Sequence, residues 1–139
     1  MITKLSHTTL FVLDQNKAYD FYIKTLGFKV HTDATMENGF RWLTITAPEQ
    51  PELKIAILSP LNSFMYPDEE VRNAFKLLLE KGVMGGGVMY TPNCQATYEE
   101  LKSKGVVFKS PPKDQFYGIE AVVTDGCGNW FSLTQPKDQ

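Results

Sequence analysis

In the stretch 117 to 124, Ile119, Ala121 and Val123 alternate with Glu120, Val122 and Thr124. Successive side chains of a strand point to opposite faces, so the apolar set turns to the core and the Glu120 carboxylate to the other side. The same alternation separates His7, Thr9 and Phe11 from Leu10 and Val12, and Phe40, Trp42 and Thr44 from Leu43 and Ile45. Near the C-terminus it separates Trp130, Ser132 and Thr134 from Phe131 and Leu133. One face of each sheet thus carries imidazole, indole, hydroxyl and carboxylate groups. A carboxylate partly desolvated among aromatic rings is suited to general-base chemistry, because its pKa rises toward neutrality; it is equally suited to accept a hydrogen bond from a cationic ligand. The plain alternatives are a solvated strand carboxylate for Glu120, a half-buried strand histidine for His7 and ordinary sheet packing for Trp42 and Trp130.

Other reactive residue types lack the neighbours that chemistry needs. Cys94 and Cys127 lie far apart with no CxxC or Cys/His ligand spacing, which predicts reduced, structural thiols. Cys94 adjoins Asn93 at an expected helix start, where a thiol pKa falls, yet no base stands beside it. Arg41 has the opposite parity to Trp42, so its head is expected to reach solvent past the sheet edge. The run Gly85-Gly86-Gly87 precedes an expected strand instead of opening a helix, so it is no phosphate loop; flexibility between modules or close backbone approach is the expected role.

The elements that position these groups fall into two similar sets. Residues 5 to 13 read as a strand ended by Asp14, a helix cap, and a helix follows from Lys17 to Leu26 with Gly27 as its stop. Strands are expected near 28 to 32, 40 to 46 and 53 to 58, the last two separated by the turn Ala47-Pro48-Glu49-Gln50-Pro51. Pro67-Asp68-Glu69-Glu70 opens a linking helix, about 67 to 82, with Val71, Phe75, Leu78 and Leu79 on one face. The second set comprises a strand at 88 to 91, a helix at 95 to 104 and strands near 106 to 109, 117 to 124 and 129 to 135. Each set reads β-α-β-β-β. An offset of 78 residues superposes Ala18, Lys24 and Gly27 on Ala96, Lys102 and Gly105. Each sheet needs helices on one face and leaves the other free to curve, which predicts an α+β fold with a strand-lined cleft.

Composition narrows the function classes. At 139 residues, 42% of them apolar, one core is expected. A net charge of −2 with interspersed signs offers no electrostatic footprint for nucleic acid. The absence of a signal-like start and of any apolar run of bilayer length predicts a cytoplasmic protein with no membrane association.

The opening Leu5-Ser6-His7-Thr8-Thr9-Leu10, the helix Ala18…Phe21-Tyr22…Leu26-Gly27-Phe28 and the closing turn Asp125-Gly126-Cys127-Gly128-Asn129-Trp130 resemble, in that order, the vicinal oxygen chelate superfamily. This is the glyoxalase, bleomycin-resistance and extradiol dioxygenase group. Its closing turn commonly reads Asp-Pro-x-Gly-Asn, and Gly126 stands here at the proline position. The resemblance implies a single domain over 1–139 built of two βαβββ modules, about 1–60 and 83–136, whose curved mixed sheets form a cleft. It also implies a homodimer and, in many members, a divalent metal. One reaction does not follow from it.

In metal-dependent members the ligands come from the first and last strand of each module. His7 matches the first such position, while its counterpart falls at Gly85, or at Gly86 or Gly87 with a slipped strand. The last-strand positions fall at Ser132 and, in module one, near Ala56. The resemblance therefore implies no metal site and no cofactor, unless the ligand positions align differently, in which case a divalent metal is expected. The leading expectation is a small-molecule-binding protein using His7, Trp42, Glu120, Trp130 and Ser132. The alternatives are a lyase-, isomerase- or dioxygenase-like enzyme with His7 and Glu120 as catalytic candidates, and a degenerate module that only dimerises.

Overall fold

Asp14 divides the first strand from the first helix. In the computed structural model, which describes residues 1–137, its carboxylate accepts the N–H groups of Asn16 and Lys17 at 2.9 and 3.2 Å. It thereby satisfies donors that a helix start leaves open, between β1 (His7–Phe11) and α1 (Gln15–Tyr19). The helix continues to Leu26, but not as a plain α-helix: over Asp20–Thr25 it widens into a π-helical turn, with the Leu26 N–H on the Phe21 carbonyl at 2.9 Å.

Three strands complete the first module: β2 (Lys29–Thr35), β3 (Arg41–Ala47) and β4 (Gln50–Leu58). The β3–β4 turn is tighter than its sequence suggests, since Ala47 pairs with Gln50 and only Pro48 and Glu49 lie between. Pro51 is tolerated inside β4 because the parallel pairing with β1 begins only at Lys54, opposite His7. The sheet order is β1-β4-β3-β2.

Asp68 caps the linking helix α2 (Glu69–Glu80) by accepting the Glu70 N–H at 2.9 Å. The second module repeats the first: β5 (Met84–Tyr90), α3 (Cys94–Ser103), β6 (Phe108–Gln115), β7 (Gly118–Thr124) and β8 (Asn129–Pro136), in sheet order β5-β8-β7-β6. Both sheets are mixed, each with one parallel pair, β1 with β4 and β5 with β8. Two details depart from expectation. The glycine run lies inside β5, not before it, and the ladder shifts register between Gly85 and Gly87. Strand β6 runs on through Pro111 and Pro112, which it accommodates as an edge strand with a register shift between Ser110 and Lys113.

The helix-covered faces of both sheets share one core. Leu10, Val12, Leu43, Ile45 and Ile57 of the first module join Ala121, Val123, Phe131 and Leu133 of the second, with Ala18, Tyr22 and Cys94 from the helices. Apart from Ile57, the strand residues among them are those that alternation assigned to the buried face. Polar contacts tie the modules as well: Leu13 N–H donates to the Cys127 carbonyl at 3.2 Å, and the Asn129 side-chain amide donates to the Phe11 carbonyl at 2.8 Å. No helix among the described residues is long and apolar enough to cross a membrane.

Candidate functional site

On the open face of the first sheet, β1 supplies His7 and β3 supplies Trp42, and their rings lie 5.9 Å apart, tilted by 42°. The Ser6 hydroxyl is 2.9 Å from His7 Nδ1. Thr44 and Ala56, facing one another across β3 and β4, are fully buried on the same face. Part of this face is not free. Phe40, Ala56 and Leu58 form a second apolar cluster with Phe11, Trp42 and Met65, and the Phe11 ring packs 4.9 Å from Phe75 of α2 and 6.0 Å from Tyr66. The linking helix thus covers the Phe11 end of the sheet and leaves His7 and Trp42 half-buried toward the other.

The open face of the second sheet carries a chain of hydrogen bonds. Glu120 accepts the Tyr117 hydroxyl on Oε1 and the Ser132 hydroxyl on Oε2, both at 2.5 Å, and Ser132 Oγ lies 2.7 Å from Thr134 Oγ1. The bond to Glu120 raises the Tyr117 pKa, which keeps this phenol a donor. Among the described residues no cation pairs with Glu120, although Lys113 is its neighbour across the β6–β7 ladder. The carboxylate is therefore an oriented anion with spare lone pairs, and no histidine stands by it to relay a proton. Trp130 lies on the same face, its indole N–H donating to the Val83 carbonyl at 3.2 Å.

Three residues of this face escaped sequence reasoning. Tyr117, expected within the strand 117 to 124 with the parity of Ile119, sits instead at the β6–β7 turn and reaches Glu120, while Val88 and Tyr90 became visible only through the parallel register that sets them opposite Ser132 and Thr134. Val88 and Tyr90 are 63% and 69% exposed. Arg41 belongs to neither group. Its head does not run free into solvent: it makes a two-pronged pair with Asp33 at 2.8 and 2.9 Å, reaches Asn16 at 2.8 Å and lies over the Tyr19 ring. That pairing holds the Asp33 carboxyl below its ordinary range and raises the guanidinium pKa. The thiols of Cys94 and Cys127 are buried and unpaired in any disulfide, and burial raises both pKa values, so neither is an activated nucleophile.

His7 and Trp42 come together, and so do Glu120 and Ser132. Among the described residues no ring contact or hydrogen bond joins the first pair to the second or to Trp130. With the helix-covered faces of both sheets in one core, the two open faces are turned away from it and stand as separate candidate half-sites.

Residues 4–133 match the family described as the Glyoxalase/Bleomycin resistance protein/Dioxygenase superfamily. The chain belongs to this family. Its fold is very similar to the crystal structure of UcmS2, with a TM-score of 0.88, 42% identity and coverage of 97% of this chain and 99% of that one. It also resembles TnmS3, an antibiotic binding protein from Streptomyces sp. CB03234, with a TM-score of 0.74 and 25% identity over 98% of both chains. YurT of Bacillus subtilis (strain 168) is 32% identical over 132 residues, 95% of this chain and 98% of its own length.

As a member of the glyoxalase superfamily the chain invites a test of the metal positions. The ladders align the modules: His7 pairs with Lys54 two residues before Ala56, and Gly85 pairs with Trp130 two residues before Ser132. His7 and Gly85 are thus equivalent, as are Ala56 and Ser132. These four positions supply one imidazole and one neutral hydroxyl, and no three His, Cys, Asp or Glu side chains converge among the described residues. Such a donor set does not fit a divalent ion held by three or four protein ligands.

Proposed function

We propose that this superfamily member binds a small planar compound, aromatic or cationic, without a protein-held metal, in a cleft closed between two copies of the chain. The observation that carries the reading is that the open faces of the two sheets make no contact with one another among the described residues. Each has an aromatic surface and a few polar groups, as small-molecule sites require, and each lacks an opposing wall. An isologous dimer that sets module one of one copy against module two of the other would close both clefts at once and cover Val88 and Tyr90. The likeness to an antibiotic binding protein supports the binding of a small molecule. The two free thiols fit a reducing compartment, so the cytoplasm is the proposed location.

Light scattering at micromolar concentration, combined with titration of indole emission by proflavine, a planar aromatic cation, tests the reading. A dimer whose emission is quenched saturably supports it. A monomer, or a dimer with unchanged emission, would overturn it. Melting with and without EDTA tests the metal clause: unchanged stability is expected, because removing a bound ion would destabilise by mass action.

A further inference from the structure

We infer that Gly85 is a specificity-determining position, because its missing side chain is the seat on which Trp130 lies as a fixed aromatic platform. The inference deepens the small-molecule reading above and rests on it. Gly85 and Trp130 are direct neighbours in the parallel β5–β8 ladder. A Cβ built on Gly85 would stand 3.2 Å from Trp130 Cζ2 and 3.4 Å from Cε2, inside the ordinary separation of about 3.5–4.0 Å between carbon atoms. The benzo edge of the indole therefore lies on the strand backbone. Its pyrrole edge is held independently, by the N–H bond to the Val83 carbonyl at 3.2 Å. With both edges anchored to β5 and the residue before it, the ring is set before any ligand arrives, which lowers the ordering cost of binding.

Backbone conformation does not explain the glycine. Gly87, two residues on, has φ of +124°, in the region that favours glycine, whereas Gly85 is not among the positive-φ glycines and any residue type suits its backbone. The nearest constraint on Gly85 is the indole. The equivalent position in module one shows what a side chain there does, since the His7 imidazole occupies the open face and meets the Trp42 ring. A side chain at 85 would claim the corresponding space in module two, lift the indole off β5 and narrow the room above it.

The test uses the full chain with Trp42→Phe, so that Trp130 is the single emitting indole. Without ligand, Gly85→Ala and Gly85→Val are expected to raise acrylamide quenching of Trp130 and shift its emission to the red. Proflavine affinity is expected to fall about two- to tenfold in Gly85→Val, the range of one aromatic contact, and less in Gly85→Ala. In a Trp130→Ala chain that keeps Trp42, adding Gly85→Val is expected to change proflavine affinity no further. If Gly85→Val does not fold, Gly85→Ala decides, since the three atoms nearest its single methyl all belong to the ring. Unchanged quenching and affinity in the Gly85 variants, with proflavine bound normally by the wild type, would overturn the seat and leave the binding function standing. Wild-type protein that ignores proflavine would overturn the platform and the small-molecule reading together, whatever the quenching shows.

Discussion

Tyr22, on the π-helical turn of module one, donates its hydroxyl to Asp125 of module two across 2.7 Å, joining residues 103 positions apart. Asp125 is 4% exposed and accepts three further hydrogens, from the N–H groups of Cys127 and Asn129 at 2.7 and 3.0 Å and from the Asn129 side-chain amide at 3.0 Å. The closing turn of the chain is thus pinned to the first helix through one buried carboxylate.

Tyr22→Phe removes one donor to an ionised acceptor and leaves the ring packing intact. The expected loss is about 1.5–3 kcal/mol, read from urea unfolding. Asp125→Ala is expected to cost more, since it strands four donors at once. A Tyr22→Phe loss below about 0.5 kcal/mol would show that the hydroxyl is not part of the inter-module tie.

Alkali should loosen the same region. Burial, and then the Asp125 charge, push the Cys127 thiol from 9.0 up to about 12, and the same two causes raise the Tyr22 phenol well above 10.0. Both groups hold their protons longer in the folded chain than in the unfolded one. The stability they contribute is therefore complete below about pH 9 and is lost as pH rises from there toward 12 for the thiol, by at most about 1.4 kcal/mol per pH unit for one group. Urea midpoints measured from pH 8 to 11 should fall less steeply in Cys127→Ala than in the wild type. Equal slopes would remove the thiol from the account.

The faces of the strands were legible in the sequence, and the distance between the faces was not. Alternation assigns Leu10, Leu43, Ala121 and Phe131 to the core because each strand buries one side, a local rule. Where a sheet's open side looks depends on how Tyr22 of the π-helical turn packs against Phe131 of β8, a contact spanning most of the chain, and nothing near His7 or Glu120 encodes it. The cap at Asp14 was readable for the same local reason, and the order of motifs was enough for the family. Proline misled where tertiary context overrides its habit, since Pro111 and Pro112 sit in an edge strand; the glycine run was misplaced, lying inside β5, but rings from β8 do approach Gly85 and Gly86 closely. Arg41 was misread because its partner Asp33 comes from the adjacent strand.

Gly86→Ala tests the core side of that strand. A Cβ there would overlap the Phe131 ring, which is walled in by the core and has no room to withdraw. A loss of about 1–3 kcal/mol in thermal or urea unfolding is expected, the usual cost of overpacking. Wild-type stability would mean that Phe131 has space the packing does not suggest.

Glu120→Gln separates charge from shape on the second half-site. The amide keeps the volume and one acceptor, so the Ser132 or Tyr117 bond survives in part, but the anion is gone. Proflavine affinity is expected to fall about two- to tenfold, while the anionic dye 8-anilinonaphthalene-1-sulfonate should bind no more weakly. Equal proflavine affinity would show that the carboxylate serves only to order its own strand pair.

The common core changes what the internal repeat means. Neither βαβββ unit has an interior of its own: severed from its twin, module one would present Leu43, Ile45 and Ile57 to water, and module two would present Ala121, Val123 and Phe131. The repeat is accordingly not a unit of folding, and the chain should unfold in one cooperative step. Once two such halves have come to share an interior, evolution cannot discard either, yet it remains free to rewrite each outer face separately, because a substitution at Trp42 or Glu120 leaves the residues that hold the halves together untouched.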